Sequence, residues 1–319
     1  MGGNAVDRAR GALVGLAVGD AVGTTLEFRP PGSFEPIDDM VGGGPFGLEP
    51  GQWTDDTSMA LCLADSIVTV GGLDVVDQLR RYVRWRDEGL WSSNGRCFDI
   101  GTTTAAQLRR FERTGQPVDP NPDEEHAANG SLMRLAPVPI AWHRSIPEAA
   151  ERSGASSRST HAATRPVDCC RLYGAMVAAV VGGTPLDEVL APTFWRWGDL
   201  HPQVASVAAG SFREKEPPAI RGSGFCIDAL EAALWAVHSA HDFRSAVLRA
   251  ANLGDDADTT AAIAGQIAGA WWGWSGIPSE WRSKVTMADE ITRLADDLHA
   301  LFDDAPPRAA SRSREAGEA

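Results

Sequence analysis

Lysine is nearly missing from this chain: Lys215 and Lys284 are the only two among 319 residues, and arginine carries almost all the positive charge. A phosphate-binding P-loop needs a Gly-Lys-Ser/Thr step, and neither lysine stands in one, so that class of nucleotide enzyme is excluded. A Schiff-base mechanism is left with few candidates. The five cysteines are odd in number and form no CxxC pair, which reads as reduced thiols rather than a disulfide framework. No basic segment followed by an apolar stretch opens the chain, and no apolar run approaches the roughly 18 residues of a membrane span. A cytoplasmic protein with no membrane partner is therefore expected. The formal charge of -14 leaves no basic surplus for a general nucleic-acid face. GxSxG and HExxH are both absent, so nothing favours a serine hydrolase or a zinc protease.

Strand-like alternation is scarce too, and the apolar period is helical nearly throughout. Ile291, Leu294, Ala295, Leu298, Leu301 and Phe302 recur at three- and four-residue steps, as do Ile227, Leu230, Leu234 and Val237. Helices are predicted over 6–21, 58–70, 75–88, 103–113, 159–181 and 259–272. Ser145 to Glu148 reads as a capping box, and Thr184-Pro185 as a cap followed by proline at the first helical position. Long glycine-bearing loops are expected over 29–51, 114–129 and 211–224. Gly42, Gly44 and Gly47 spell GxGxxG, but in a proline-rich loop with no strand before it, which argues against a dinucleotide fold. His238 and His241, near a helix end, read as ordinary surface residues. The expected architecture is all-α, with one compact helical domain over 1–304. A disordered tail is expected over 305–319, where Pro, Ala, Arg, Ser and Glu dominate.

Two acidic clusters, far apart in sequence, carry the most chemistry: Thr54-Asp55-Asp56-Thr57 and Asp255-Asp256-Ala257-Asp258-Thr259. Each stands where an alanine-rich helix is predicted to begin. Asp and Thr are favoured helix caps, so capping is the plain alternative. A cap needs one oxygen, however, and each cluster offers three or more. Carboxylate and hydroxyl oxygens are the hard ligands that Mg²⁺ or Mn²⁺ prefer. If the fold joins the clusters, Asp55, Asp56, Asp256 and Asp258 bring four negative charges to one place. Without cations they would repel and take up protons. A dinuclear hard-metal site is the expectation. Three glycine-and-hydroxyl segments, 98–104, 129–134 and 221–225, each lead into a predicted helix, where free backbone N–H groups form a phosphate cradle.

These segments together resemble the ADP-ribosylglycohydrolase family. The resemblance is carried by Gly11 to Gly23 (GALVGLAVGDAVG), Glu27-Phe28, Trp53 to Met59 (WTDDTSM), Phe98 to Gly101 (FDIG) and Asn129 to Arg134 (NGSLMR). Thr160-His161, Gly222 to Gly224, Leu230 to Trp235 (LEAALW) and Gly254 to Thr260 (GDDADTT) complete it, over roughly 5–302. It implies an all-helical fold with two Mg²⁺ or Mn²⁺ ions in a central cleft. By position, Thr54, Asp55 and Asp56 are the ligands from one helix start and Asp256, Asp258 and Thr259 those from the other, with Asp255 facing away. Glu27 matches the acidic residue over the metal site, and Asp99 an aspartate near the scissile bond; with Asp56 and Asp256 they form the expected catalytic set. Gly101, Thr102, Asn129, Gly130, Ser131 and His161 match ADP-ribose-binding segments, and adenine is assigned to the Phe225 ring. Two departures, Thr102 for a frequent asparagine and Ala128 for a frequent glycine, bear on substrate preference.

The implied activity is metal-dependent hydrolysis at the ribose anomeric carbon, releasing ADP-ribose from a modified protein side chain. Arginine is the preferred linkage, with serine or another oxygen linkage as the variant. Two other classes stand beside it: a non-catalytic ADP-ribose-binding protein, and a dinuclear hydrolase of another nucleotide sugar or nucleotide phosphate.

Overall fold

A computed structural model describes residues 4–302. Among the described residues every regular element is helical: α1 Ala5–Gly23, α2 Asp55–Val70, α3 Val75–Glu88, α4 Thr102–Thr114, α5 Pro137–Ala141, α6 Ile146–Ser157, α7 Thr164–Gly182, α8 Leu186–Val189, α9 Pro202–Ala208, α10 Cys226–His238, α11 Phe243–Ala251, α12 Ala257–Trp272, α13 Ser279–Lys284 and α14 Ala288–Ala300. No helix among them is long and apolar enough to cross a membrane. The expected tail over 305–319 lies outside the described residues.

The centre is built on α1 and α12, which run antiparallel at unusually short range. Gly11, Gly15, Gly19 and Gly23 recur every four residues on one face of α1, meeting Gly269, Gly265, Ala261 and Ala257 in turn. A Cβ on Gly19 would lie 2.1 Å from the Ala261 carbonyl oxygen, and one on Gly265 would lie 2.1 Å from that of Gly15. Only glycine permits that approach of backbone to backbone. This register matters for function, because it sets the C-terminal end of α1 beside the N-terminal end of α12. Around the pair, α2, α5, α7, α10, α11 and α14 close one contiguous apolar core.

Several predicted elements are corrected. The helix expected from residue 58 begins at Asp55, and the one expected from 259 begins at Ala257, so Asp55, Asp56 and Asp258 lie inside first turns. The helix expected over 159–181 begins only at Thr164. Pro166 lacks the N–H that would bond to residue 162, and its ring crowds that carbonyl, so the helix cannot extend further back. Ser145 occupies the N-cap of α6, but its side chain makes no capping bond. Pro185 is itself the N-cap of α8 rather than its first residue. The segment from Asn129 to Arg134 is a run of turns, with α5 starting later at Pro137. By contrast α3 begins and ends where expected: the Asp74 side chain accepts from Val76 N and Asp77 N, and left-handed Gly89 stops it.

Candidate active site

The fold brings the two acidic helix starts into contact. Thr259 Oγ1 donates to Asp56 Oδ1 at 3.3 Å across 203 positions of sequence. Neither N-cap residue caps its own helix: Thr54 of α2 and Asp256 of α12 make no side-chain capping bond, although within the α12 start Asp258 Oδ1 accepts from Thr259 N at 2.7 Å. The remaining caps come from α1 and the turn after it. Asp20, fully buried, accepts from Thr54 N and Oγ1 at 2.9 Å each, from Thr57 N at 3.0 Å and from Thr57 Oγ1 at 2.7 Å. Glu27 Oε2 accepts from Ala257 N at 2.8 Å and Asp258 N at 3.4 Å. Much of the capping thus comes from a distance, which leaves most of the cluster's carboxylate oxygens for other work. In the sequence Asp20 stands only as one member of the Gly11 to Gly23 segment. Its signal was available, since a lone carboxylate within an otherwise apolar buried stretch needs several partners.

Crowding and burial set the electrostatics. Burial first, then facing carboxylates, pushes Asp55 and Asp56 well above the usual carboxylate range. Burial also raises Asp256, against the pull of the Asn129 amide. Asp258 is pushed up to about 7 by burial, and Asp99 to about 9 by burial and then by Asp258. Glu27 is driven up by burial and by Asp258 and Asp256. So many carboxyl groups in one place call for positive charge or protons. One oxygen each from Glu27, Asp256 and Asp258 falls within 4.8 Å of the others, a spacing that suits one cation. Asp56 Oδ2 is buried with no hydrogen-bond partner among the described residues. An orphaned buried carboxylate oxygen beside a cluster of hard donors fits a divalent cation.

Above this floor lies a cleft of about 310 Å³. Glu27, Phe28, Asp55, Asp99, Asp255, Asp256, Asp258 and Thr259 line its acidic part, and Gly101 to Thr104, Ala128, Asn129, Gly130, Met133, His161 and Gly224 the rest. Gly101 is the N-cap of α4 with no side-chain cap, so the first N–H groups of that helix lack helical acceptors at the cleft. Asn129 Nδ2 donates to Asp256 Oδ2 at 2.7 Å, which ties one wall to the acidic floor. Gly130 lies against His161, where a Cβ would stand 2.9 Å from the imidazole Cε1. Burial, then Arg134, lowers His161 to about 3, so the ring is neutral. Arg134 Nη2 donates to Thr160 Oγ1 at 2.7 Å, and that oxygen lies 2.8 Å from His161 Nδ1. That contact fixes the orientation of the ring, with Cε1 and Nε2 on the Gly130 side. A second cavity of about 350 Å³ shares Thr102, Thr103 and His161 with this cleft.

Other expected residues sit elsewhere. Thr54 and Asp56 are buried beneath the lining, in the floor itself. Ser131 turns inward, with its hydroxyl 2.8 Å from Ser157 Oγ and 3.4 Å from Cys170 Sγ. Phe225 is the N-cap of α10 and carries the Arg165 guanidinium 5.8 Å from its ring centroid, outside the cleft lining. Asp255, which the resemblance has facing away, is exposed and lines the cleft, and its backbone pairs with Phe28 N and Arg29 O at 2.8 Å each. Phe28, Thr103, Thr104, Met133 and Gly224, which the sequence offers only as members of motif segments, also line the cleft.

A family model described as ADP-ribosylglycohydrolase matches residues 1–308. The chain is 48% identical over 302 residues to the ADP-ribosylarginine hydrolase Tri1 of Pseudomonas putida, spanning 95% of this chain and 80% of that protein. It is 34% identical to the ADP-ribosyl-[dinitrogen reductase] glycohydrolase of Rhodospirillum rubrum, over 92% of this chain and 96% of that one. A solved structure titled ADP-ribosylglycohydrolase-related protein complex superposes with a TM-score of 0.83 at 38% identity, covering 93% of this chain and 99% of its own. With an all-helical fold and an acidic cleft that agree, the chain belongs to the ADP-ribosylglycohydrolase family, a family of enzymes.

Proposed function

We propose that the protein is a divalent-metal-dependent hydrolase that removes ADP-ribose from arginine side chains of modified proteins. One observation carries the reading most: carboxylates from two distant helix starts converge on a cleft whose other wall offers open helix N–H groups. The names of the relatives from Pseudomonas putida and Rhodospirillum rubrum support the substrate class. Thr54, Asp55, Asp56, Asp256, Asp258 and Thr259 would hold two Mg²⁺ or Mn²⁺ ions, with Glu27 bordering them. Bound there, such ions supply Lewis acidity toward ribose hydroxyls and toward a water molecule.

The chain's own residues do the rest. The diphosphate lies at the start of α4, against the N–H groups of Thr102 to Thr104, and the ribose near Asn129, Gly130 and the neutral His161 ring. Asn129 and Asp20 hold the floor in position, the first through Asp256 and the second through Thr54 and Thr57. Hydrolysis adds a hydroxyl to the anomeric carbon and a proton to the departing nitrogen. Asp99, in the acidic part of the cleft, moves that proton from the attacking water. Glu27 stabilises the start of α12 and adds negative charge beside the reacting centre.

The test is incubation with arginine-ADP-ribosylated and serine-ADP-ribosylated proteins, each with Mg²⁺, Mn²⁺ or EDTA. Release of free ADP-ribose from the arginine substrate, lost in EDTA, is the expected result. Release from the serine substrate alone would overturn the linkage. AMP as product would point to a phosphate hydrolase, and binding without product to a sensor.

A further inference from the structure

Three aromatic rings flank the acidic end of the cleft, and the reaction as written gives them no role. Phe28 lines the cleft and is 63% exposed. Its ring centroid lies 6.3 Å from that of Phe46, edge to face, and Phe46 lies 5.2 Å from Phe98. Phe98 directly precedes Asp99, and Phe28 directly follows Glu27. Three backbone positions here are left-handed: Phe28 has φ 59°, Asp99 φ 60° and Asp255 φ 58°. An aromatic residue is poorly suited to that region, where Gly or Asn would fit better. Exposing so large an apolar ring gains nothing for folding either. Phe28 is nevertheless held there, its N–H donating to Asp255 O at 2.8 Å. A strained, exposed and anchored aromatic at a cleft mouth calls for a ligand-facing role.

The shape of the cleft says which part of the substrate it faces. The second cavity shares Thr102, Thr103 and His161 with the first, and neither Glu27, Phe28 nor Asp99 borders it. An extended ADP-ribosyl group would run toward that side, along the start of α4. The group it is bonded to must leave at the other end, past Phe28. Resting on the arginine reading above, we infer that Phe28, supported by Phe46 and Phe98, forms an aromatic platform that stacks the substrate's guanidinium and so selects a planar, cationic leaving group. A guanidinium plane over an aromatic face gains cation–π attraction and stacking, and its weak hydration lets it leave water cheaply. The surrounding carboxylates favour the same cation. A serine-linked substrate offers this platform neither a plane nor a charge.

Agmatine, which carries the guanidinium without ADP-ribose, is the probe. Its inhibition constant and the KM for an arginine-ADP-ribosylated protein are measured for the wild type and for Phe28→Ala, Phe28→Leu and Phe28→Tyr, with ADP-ribose affinity by calorimetry alongside. Phe28→Ala and Phe28→Leu are expected to weaken agmatine and raise KM about tenfold, the worth of one partly desolvated stack. ADP-ribose affinity should stay within twofold, and Phe28→Tyr should behave as wild type. The platform is overturned if agmatine inhibits every variant equally, if Phe28→Leu matches Phe28→Tyr, or if ADP-ribose affinity falls in step with agmatine. If the wild type releases no ADP-ribose from arginine, the proposed function fails first and takes this inference with it. Wild-type turnover with unchanged Phe28 variants sinks the platform alone.

Discussion

Asp20→Asn is the sharpest perturbation the site offers, because it changes charge without changing shape. Asp20 accepts four hydrogen bonds from the start of α2, two of them from the backbone N–H groups of Thr54 and Thr57. An asparagine there keeps one oxygen and turns an NH₂ group toward the other pair of donors. The threonine hydroxyl facing that group can rotate and accept. The backbone N–H cannot, and it is left buried without a partner. That costs about 1–3 kcal/mol, and weakening the remote helix cap adds about 1 kcal/mol, so a total near 3 kcal/mol is expected. For a chain of this size, at about 2 °C per kcal/mol, the melting temperature should fall by roughly 6 °C with Mn²⁺ bound. The same substitution removes a negative charge that pushes Asp55 and Asp56 upward. In EDTA the relief of repulsion offsets part of the loss, so the drop should be smaller there. Calorimetric melts in Mn²⁺ and in EDTA, with a Mn²⁺ titration, read both effects. Equal melting temperatures and unchanged Mn²⁺ affinity would refute the remote-cap argument.

Asp56→Ala and Asp258→Ala should each abolish ADP-ribose release while leaving far-ultraviolet circular dichroism unchanged; normal turnover in either would count heavily against the metal-site assignment. Gly269→Ala puts a methyl 1.9 Å from the Gly11 carbonyl oxygen, so α1 and α12 must part, at a cost of about 3 kcal/mol in urea denaturation. Gly72→Ala meets nothing within 4 Å and should be neutral or slightly stabilising, an internal control for the first. In the metal-free protein Asp258 and Asp99 hold protons, up to about pH 7 and about pH 9, that the unfolded chain has released above about pH 4. The folded state then binds more protons, so stability falls as pH rises through that window, by about 1.4 kcal/mol per pH unit for each group. Urea midpoints at pH 5, 7 and 9 in EDTA should decline, and Mn²⁺ should flatten the trend; a rise with pH in EDTA would contradict it. His161 works in the opposite direction. Its value of about 3 lies below the ordinary 6.5, so its contribution is present above pH 6.5 and is lost as pH falls. His161→Phe should therefore reduce the acid sensitivity of the metal-loaded protein, read by melting at pH 5 and 7.

Much of this molecule is written locally. Asp74 and Gly89 bound α3 through interactions spanning a few residues, and such signals survive in any tertiary context. The chemical character of the site was equally legible, because carboxylates and hydroxyls are hard donors wherever they are placed. The four-residue glycine spacing in α1 could also have been read, though its partner helix could not. Which oxygens serve the site was decided elsewhere. Taken alone, Thr54 and Asp256 are sound caps; the close α1–α12 contact delivers Asp20 and Glu27 to those helix starts and relieves them of that duty. Tertiary packing likewise turned Ser131 into the core and stacked Arg165 on Phe225, against a local pattern that pointed both toward the ligand. The physical reason is range: periodicity and capping act over one helical turn. The meeting of Asp56 with Thr259, 203 positions apart, depends on how closely two backbones can approach.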